Sequence, residues 1–329
     1  MPKILLTSPK SARVLYYPDE ALAGLRALGE VRLNDSDSAW DAAGLVKAAE
    51  GCDVIVSDRQ TAGPAAVFDG LPRLMAFVRC AVDIRNVDVP AASRNGVLVT
   101  HASPGFVASV AELVVGFMVD LGRGVTRAAT SYHQGAVPQA AMGRQLKGSA
   151  LGVMGYGAIG RYLADLGVAL GMRVLVSDPF VKADRKGIEQ VDMGVLLAES
   201  DFVACLVVAN DQTEKLVNAD AFARMKKTAY FINVSRGGLV DDAALEEALK
   251  TGQIAGAAMD VGRAPDQMPM PALAALPNVI ATPHIGGLTP PAAAHQALET
   301  VRQVAAIVKG LTPPGAVNAE KATRLRALA

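Results

Sequence analysis

The run Gly155-Tyr156-Gly157-Ala158-Ile159-Gly160 follows a short apolar stretch, Leu151–Met154, and opens an amphipathic one. Glycines at this spacing between a strand and a helix let the main chain come close to a pyrophosphate. Gly155 permits a tight turn, Gly157 lets the backbone approach the phosphates, and Gly160 lets helix and strand pack closely. A second apolar stretch, Arg173–Ser177, ends at Asp178, whose carboxylate can accept bonds from a ribose diol. The unit predicts a dinucleotide site. An acid with no Lys or Arg after it until Lys182 disfavours a 2′-phosphate, which predicts NAD over NADP. The plainer reading of Asp178 is that it starts the turn before Pro179.

Three more segments carry groups for chemistry. Asn233-Val234-Ser235-Arg236-Gly237-Gly238-Leu239-Val240-Asp241 follows a strand pattern, Gly256–Val261 ends one, and Thr282-Pro283-His284-Ile285-Gly286-Gly287 follows the last. Loops at the C-terminal ends of strands are where open α/β sheets bind ligands. An arginine there can grip a carboxylate bidentately, and a histidine can move a proton near neutral pH. With a nicotinamide beside them, they make a site for oxidising a 2-hydroxy acid or reducing a 2-keto acid.

The elements that must position these loops alternate along the chain. Strand patterns fall at Lys3–Thr7, Val31–Asn34, Asp53–Ser57, Leu74–Cys80 and Val97–Thr100. A second set falls at Leu151–Met154, Arg173–Ser177, Phe202–Val208, Ala229–Val234, Ile254–Asp260 and Asn278–Thr282. Helical patterns lie between them, so the chain reads as two α/β domains with parallel sheets. Pro104–Leu121 reads as a helix joining the two, and Thr289-Pro290-Pro291 opens a long helix running to about Lys309.

Composition narrows the function classes. Of 329 residues about half are apolar, and the formal net charge is zero. No basic stripe points to nucleic acid, and Lys, Arg, Asp or Glu breaks each apolar run before membrane-spanning length. The N-terminal apolar run reads as a first strand, too short for a signal peptide. The three scattered cysteines form neither a disulfide framework nor a metal cluster, which favours a cytoplasmic setting.

These motifs stand in a familiar order. With Asn86-Val87-Asp88 and Val110-Ala111-Glu112, the chain resembles the D-isomer-specific 2-hydroxyacid dehydrogenases over nearly its whole length. That group contains phosphoglycerate, glyoxylate/hydroxypyruvate and D-lactate dehydrogenases. The resemblance implies a Rossmann NAD-binding domain, residues 102–288, inserted into a flavodoxin-like substrate domain of residues 1–101 plus 289–329. It also implies a homodimer whose domains close to exclude water. Carried over residue by residue, Arg236 holds the substrate carboxylate, His284 is the acid–base group and Asp260 contacts the nicotinamide amide. Val234, Ser235, Gly286, Asn210 and Thr213 join the glycine loop and Asp178 around the cofactor, although turn chemistry alone would also explain Asn210 and Thr213.

Two departures stand out. The family usually follows Asp-Val with Phe and then a Glu-Pro whose Glu pairs with the histidine. Here Gly262-Arg263-Ala264-Pro265-Asp266-Gln267 holds no glutamate, and Asp266 either replaces it or is a loop acid. The family's Gly-x-Gly, whose amides meet the substrate carboxylate, is Ala81-Val82-Asp83. Either Asp83 faces the substrate, which would then carry a hydroxyl or amine, or it points to solvent or pairs with Arg85. Of the remaining histidines, His101 reads as a hinge hydrogen-bonding group, and His133 and His295 read as surface residues. The main reading is NAD-dependent hydride transfer at C2 of a D-2-hydroxy acid. An NAD(H)-responsive binding protein and a formate dehydrogenase-like enzyme are the alternatives on the same fold.

Overall fold

Short strands rich in Val, Ile, Leu and Phe are covered on both faces, as expected for parallel sheets flanked by helices. The computed structural model describes residues 1–328. The chain divides into two compact units, Met1–Phe106 with the stretch from Leu288 onward, and Val107–Gly287. The first crossing therefore falls after Phe106, a few residues later than the sequence boundary.

The first unit holds β1 (Lys3–Leu6), β2 (Glu30–Leu33), β3 (Val54–Ser57), β4 (Ala76–Arg79) and β5 (Leu98–His101), in the order β2-β1-β3-β4-β5. All neighbours pair in parallel. This is a flavodoxin-like order with its switch point between β1 and β3. The helix Pro290–Ile307 packs Ala297, Val304 and Ile307 into the same core as Ala21 and Leu25 of the Asp19–Leu28 helix. Asp88 of the Asn-Val-Asp motif caps the Val89–Arg94 helix, accepting from the Ala91 amide at 2.9 Å.

The second unit holds β6 (Ala150–Met154), β7 (Arg173–Ser177), β8 (Ile188–Gln190), β9 (Phe202–Cys205), β10 (Tyr230–Asn233), β11 (Gly256–Met259) and β12 (Val279–Ala281). The order β12-β11-β10-β9-β6-β7-β8 places the switch point between β6 and β9. Strand β8 escaped the sequence reading because Ile-Glu-Gln at a sheet edge shows no apolar alternation. The joining helix starts at Val107 and ends at Arg123, inside this unit. Asp241 caps the Asp242–Lys250 helix. The helix Val125–His133 buries none of its residues, and Val125, Tyr132, Val137 and Met142 are exposed in and after it. Among the described residues no helix is long and apolar enough to cross a membrane.

The close packing at the glycine loop is testable. A Cβ on Gly160 would lie 2.1 Å from the Gly155 carbonyl oxygen, so no side chain fits without moving main chain. Gly160→Ala should lower stability by about 1–3 kcal/mol, seen as a lower urea midpoint. An unchanged midpoint would mean that helix and strand are not packed this tightly.

Candidate active site

All the chemistry-bearing loops of the second unit leave the same edge of one sheet. From β8 toward β12 come Asp178 after β7, the glycine loop after β6, Leu206–Thr213 after β9, Arg236 after β10, Asp260 after β11 and His284 after β12. Parallel strands lie about 4.8 Å apart, so these groups form a row along the sheet edge.

At the dinucleotide end, Gly155 has φ +92°, and a Cβ there would sit 2.8 Å from the Leu206 carbonyl oxygen. Gly157 precedes the Ala158–Ala169 helix, no side chain caps that N-terminus, and open space faces the Gly157 Cα. An uncapped helix start with an unobstructed glycine fits a pyrophosphate. Asp178 is engaged from the protein side. It accepts from the amides of Tyr156 (2.7 Å), Phe180 (2.8 Å) and Val181 (2.9 Å). It therefore starts the turn after β7, as in the plainer reading, and also ties the glycine loop to that turn, and its oxygens keep lone pairs for further donors. Burial pushes its pKa up, but those amides and Arg161 outweigh burial and hold it below the ordinary carboxylate range. Asn210 and Thr213 brace their own turn. Asn210 Oδ1 accepts from the Gln212 and Thr213 amides, and Thr213 Oγ1 donates to the Val208 carbonyl. Phe180 and Val208, 91% and 76% exposed, flank this end at the exits of β7 and β9. Sequence reasoning missed both, because an apolar residue after a strand reads as core until exposure is known.

At the other end, Asn233 shapes the arginine turn. Its Oδ1 accepts from the Ser235 amide, its Nδ2 donates to the Arg236 carbonyl, and Ser235 Oγ donates to Val207 O at 2.6 Å. Arg236 NH1 donates to Ser235 O. Val234 is buried beneath the turn. A Cβ on Gly237 would lie 2.2 Å from the Gly262 carbonyl carbon, so the loops after β10 and β11 touch main chain to main chain.

Asp260, 2% exposed, is turned inward. Its Oδ1 accepts from Thr282 Oγ1 (2.6 Å) and the Ile285 amide (2.8 Å), and its Oδ2 accepts from the Gly286 amide (2.8 Å). These three bonds fix the histidine loop. A carboxylate this deep persists only with such donors. His284 sits within that loop at φ +56°, a left-handed conformation uncommon for a residue with a side chain. Its Nδ1 lies 3.0 Å from the carbonyl oxygen of Asp266. A carbonyl only accepts, so Nδ1 carries the proton and donates. The partner found for His284 Nδ1 is thus the main-chain carbonyl of Asp266.

In the first unit, Asp83 takes the second of its two readings. Its carboxylate accepts from Arg85 Nε at 3.0 Å and NH2 at 2.6 Å. Ala81 is buried and Val82 half-buried in the same loop. Close by, Arg79 is fully buried, with NH1 donating to the Asp58 carbonyl and NH2 to Asn86 Oδ1. Burial lowers its pKa to about 10, against the opposing pull of Asp58, Asp83 and Cys80. Ser57 Oγ, Asp58 Oδ2, Thr61 Oγ1 and Arg79 Nε are all buried without a hydrogen-bond partner, a polar cluster at the ends of β3 and β4. Two histidine readings also resolve here. His101 Nδ1 bonds the Ala102 carbonyl, and His295 is an exposed helix residue whose Nε2 lies 2.8 Å from Ser103 Oγ.

Known proteins resemble this chain in sequence and fold. The family model for the NAD-binding domain of D-isomer specific 2-hydroxyacid dehydrogenases matches residues 115–286, more than half of the chain. This chain belongs to that family. It is 32% identical over 319 residues to the D-3-phosphoglycerate dehydrogenase of Synechocystis, covering 96% of this chain and 57% of that protein. It is 32% identical over 263 residues to the hydroxypyruvate reductase of Thermotoga maritima, covering 79% of this chain and 86% of that one. The TT0316 protein of Thermus thermophilus superposes with a TM-score of 0.87 at 29% identity, over 96% of this chain and 99% of that one. The chain spans little more than half the length of the phosphoglycerate dehydrogenases it matches. As a member of the family it carries an NAD-binding domain.

Two consequences follow for the two aspartates. Asp260→Asn would set an amide N–H against the Gly286 amide, and should cost about 1–3 kcal/mol in denaturant unfolding and lower turnover. Full retention of both would show that the carboxylate does not hold the loop. The depressed Asp178 carboxyl contributes stability above its unfolded pKa of about 3.9, and that contribution is lost as pH falls through the lower folded value. Asp178→Asn should therefore flatten the acid limb of unfolding, and an identical limb would contradict the assignment.

Proposed function

We propose that this chain is an NAD-dependent D-2-hydroxyacid dehydrogenase that transfers hydride between the nicotinamide and C2 of a 2-hydroxy or 2-keto acid. The observation that supports it is the single row of the glycine loop, Arg236 and His284 along one sheet edge. Arg236 holds the substrate carboxylate and polarises the adjacent carbonyl. His284, with its proton on Nδ1, has Nε2 available to take the hydroxyl proton in oxidation. In reduction the imidazolium returns it. The bound nicotinamide supplies the hydride acceptor or donor. The glycine loop, Val234, Ser235, Asp178, Asn210, Thr213 and Gly286 line its path, with Phe180 and Val208 at the adenine end.

The protein is proposed to act as a cytoplasmic homodimer. The Val125–His133 helix and the exposed Val137 and Met142 offer an apolar face for the second copy. The absent glutamate beside His284 favours one other reading, an NAD(H)-responsive binding protein.

NADH oxidation with a panel of 2-keto acids separates the two. Turnover of at least one supports the enzyme, and NADH binding without turnover of any supports the binding protein. Arg236→Ala should raise KM and lower kcat together. His284→Ala should abolish turnover and leave NADH affinity nearly intact. Comparable turnover in the His284 variant would mean that another group moves the proton.

A further inference from the structure

The 262–268 segment folds back on itself. The Gly262 amide donates to Gln267 O at 2.8 Å, and the Ala264 amide donates to Met268 O at 3.0 Å. Two consecutive residues, Asp266 at φ +57° and Gln267 at φ +59°, are left-handed, and neither is a glycine. Gly262 makes this hook possible, because a Cβ there would lie 2.6 Å from Met268 O and from Pro269 Cα. A Phe at this position, as the family usually has, would not fit. The loss of that Phe and the loss of the glutamate are thus parts of one rearrangement.

We propose that the main-chain carbonyl of Asp266 is the orienting partner of His284, and that the left-handed Asp266–Gln267 hook serves to present it. This rests on reading His284 as the acid–base group. A carbonyl has no proton to give, so Nδ1 stays protonated in the neutral and cationic ring alike, and Nε2 is the atom that exchanges the proton. The device fixes ring orientation and tautomer through a neutral acceptor. The charged groups on the surrounding segments are Asp260, Arg236, Arg263 and the Asp266 side chain. Asp260 is engaged by Thr282, Ile285 and Gly286, and Arg263 pairs with Glu214. Asp266 and Gln267 are therefore positioning residues that act through their backbone.

The test is nitrogen-15 NMR of the histidine rings in the full chain, with His284 assigned by loss of its signals in His284→Gln. Neutral His284 is expected as the Nδ1–H tautomer. Asp266→Asn and Asp266→Gly keep the carbonyl, so both should keep that tautomer and leave the pH limb of keto-acid reduction in place. Gln267→Pro cannot adopt a positive φ and opens the hook. It should abolish the tautomer preference and lower kcat about 10- to 100-fold, with NADH affinity retained. Gln267→Gly, which adopts the left-handed conformation freely, should match the parent. A changed tautomer or a shifted limb in Asp266→Asn would overturn the proposal and make the carboxylate the partner. An unchanged tautomer in Gln267→Pro would overturn the role of the hook. The NMR outcome is independent of turnover, so failure with every 2-keto acid would count against the proposed activity and not against the carbonyl.

Discussion

The bonds that Asp260 makes to the histidine loop are the interaction on which the site depends. A carboxylate at the end of β11 is almost wholly buried, and a buried charge without donors is strongly unfavourable. Thr282, Ile285 and Gly286 supply those donors, and in doing so they set the path of the segment that holds His284. The left-handed φ of His284 persists because the residues on both sides of it are held. The turn after β10 is shaped in a similar way by Asn233 and meets the β11 loop through Gly237 and Gly262. Arginine and histidine are thus placed by two polar side chains and by one close main-chain contact.

The same device recurs at the other end of the row. Asp178 leaves β7 and gathers amides from the glycine loop and from its own turn. Asp58 leaves β3 in the first unit and accepts from the Gln60 and Thr61 amides with one oxygen. In each case an acid one or a few residues past a strand converts a loop that could wander into one with a defined exit. That stiffness is what a site needs if it is to hold a proton acceptor and a cation at fixed places on one sheet edge.

The fold was legible in the sequence because it is written in period and in glycine. Strand β6, the glycine run and the second strand ending at Asp178 could be read directly, and two alternating sets implied two parallel sheets, whose strand orders alternation alone does not fix. Arg236 and His284 were legible as residue types at strand exits. What could not be read was which donor meets which acceptor. An aspartate after a strand looks the same whether or not it also holds a neighbouring loop, as Asp260 does. Asp266 was visible as an acid near the histidine, but only left-handed backbone angles reveal that its carbonyl makes the contact. Asp83 and Arg85 are two residues apart in a loop, where spacing alone does not tell whether they pair.

The account makes one claim above the rest, that this row of groups passes hydride stereospecifically to C2 of a 2-keto acid. The most direct measurement is proton and deuterium NMR of the product formed from NADH deuterated at its transferable position. The account predicts deuterium at C2 of a hydroxy acid of D configuration only. Product lacking the label, or carrying it in both configurations, would contradict it.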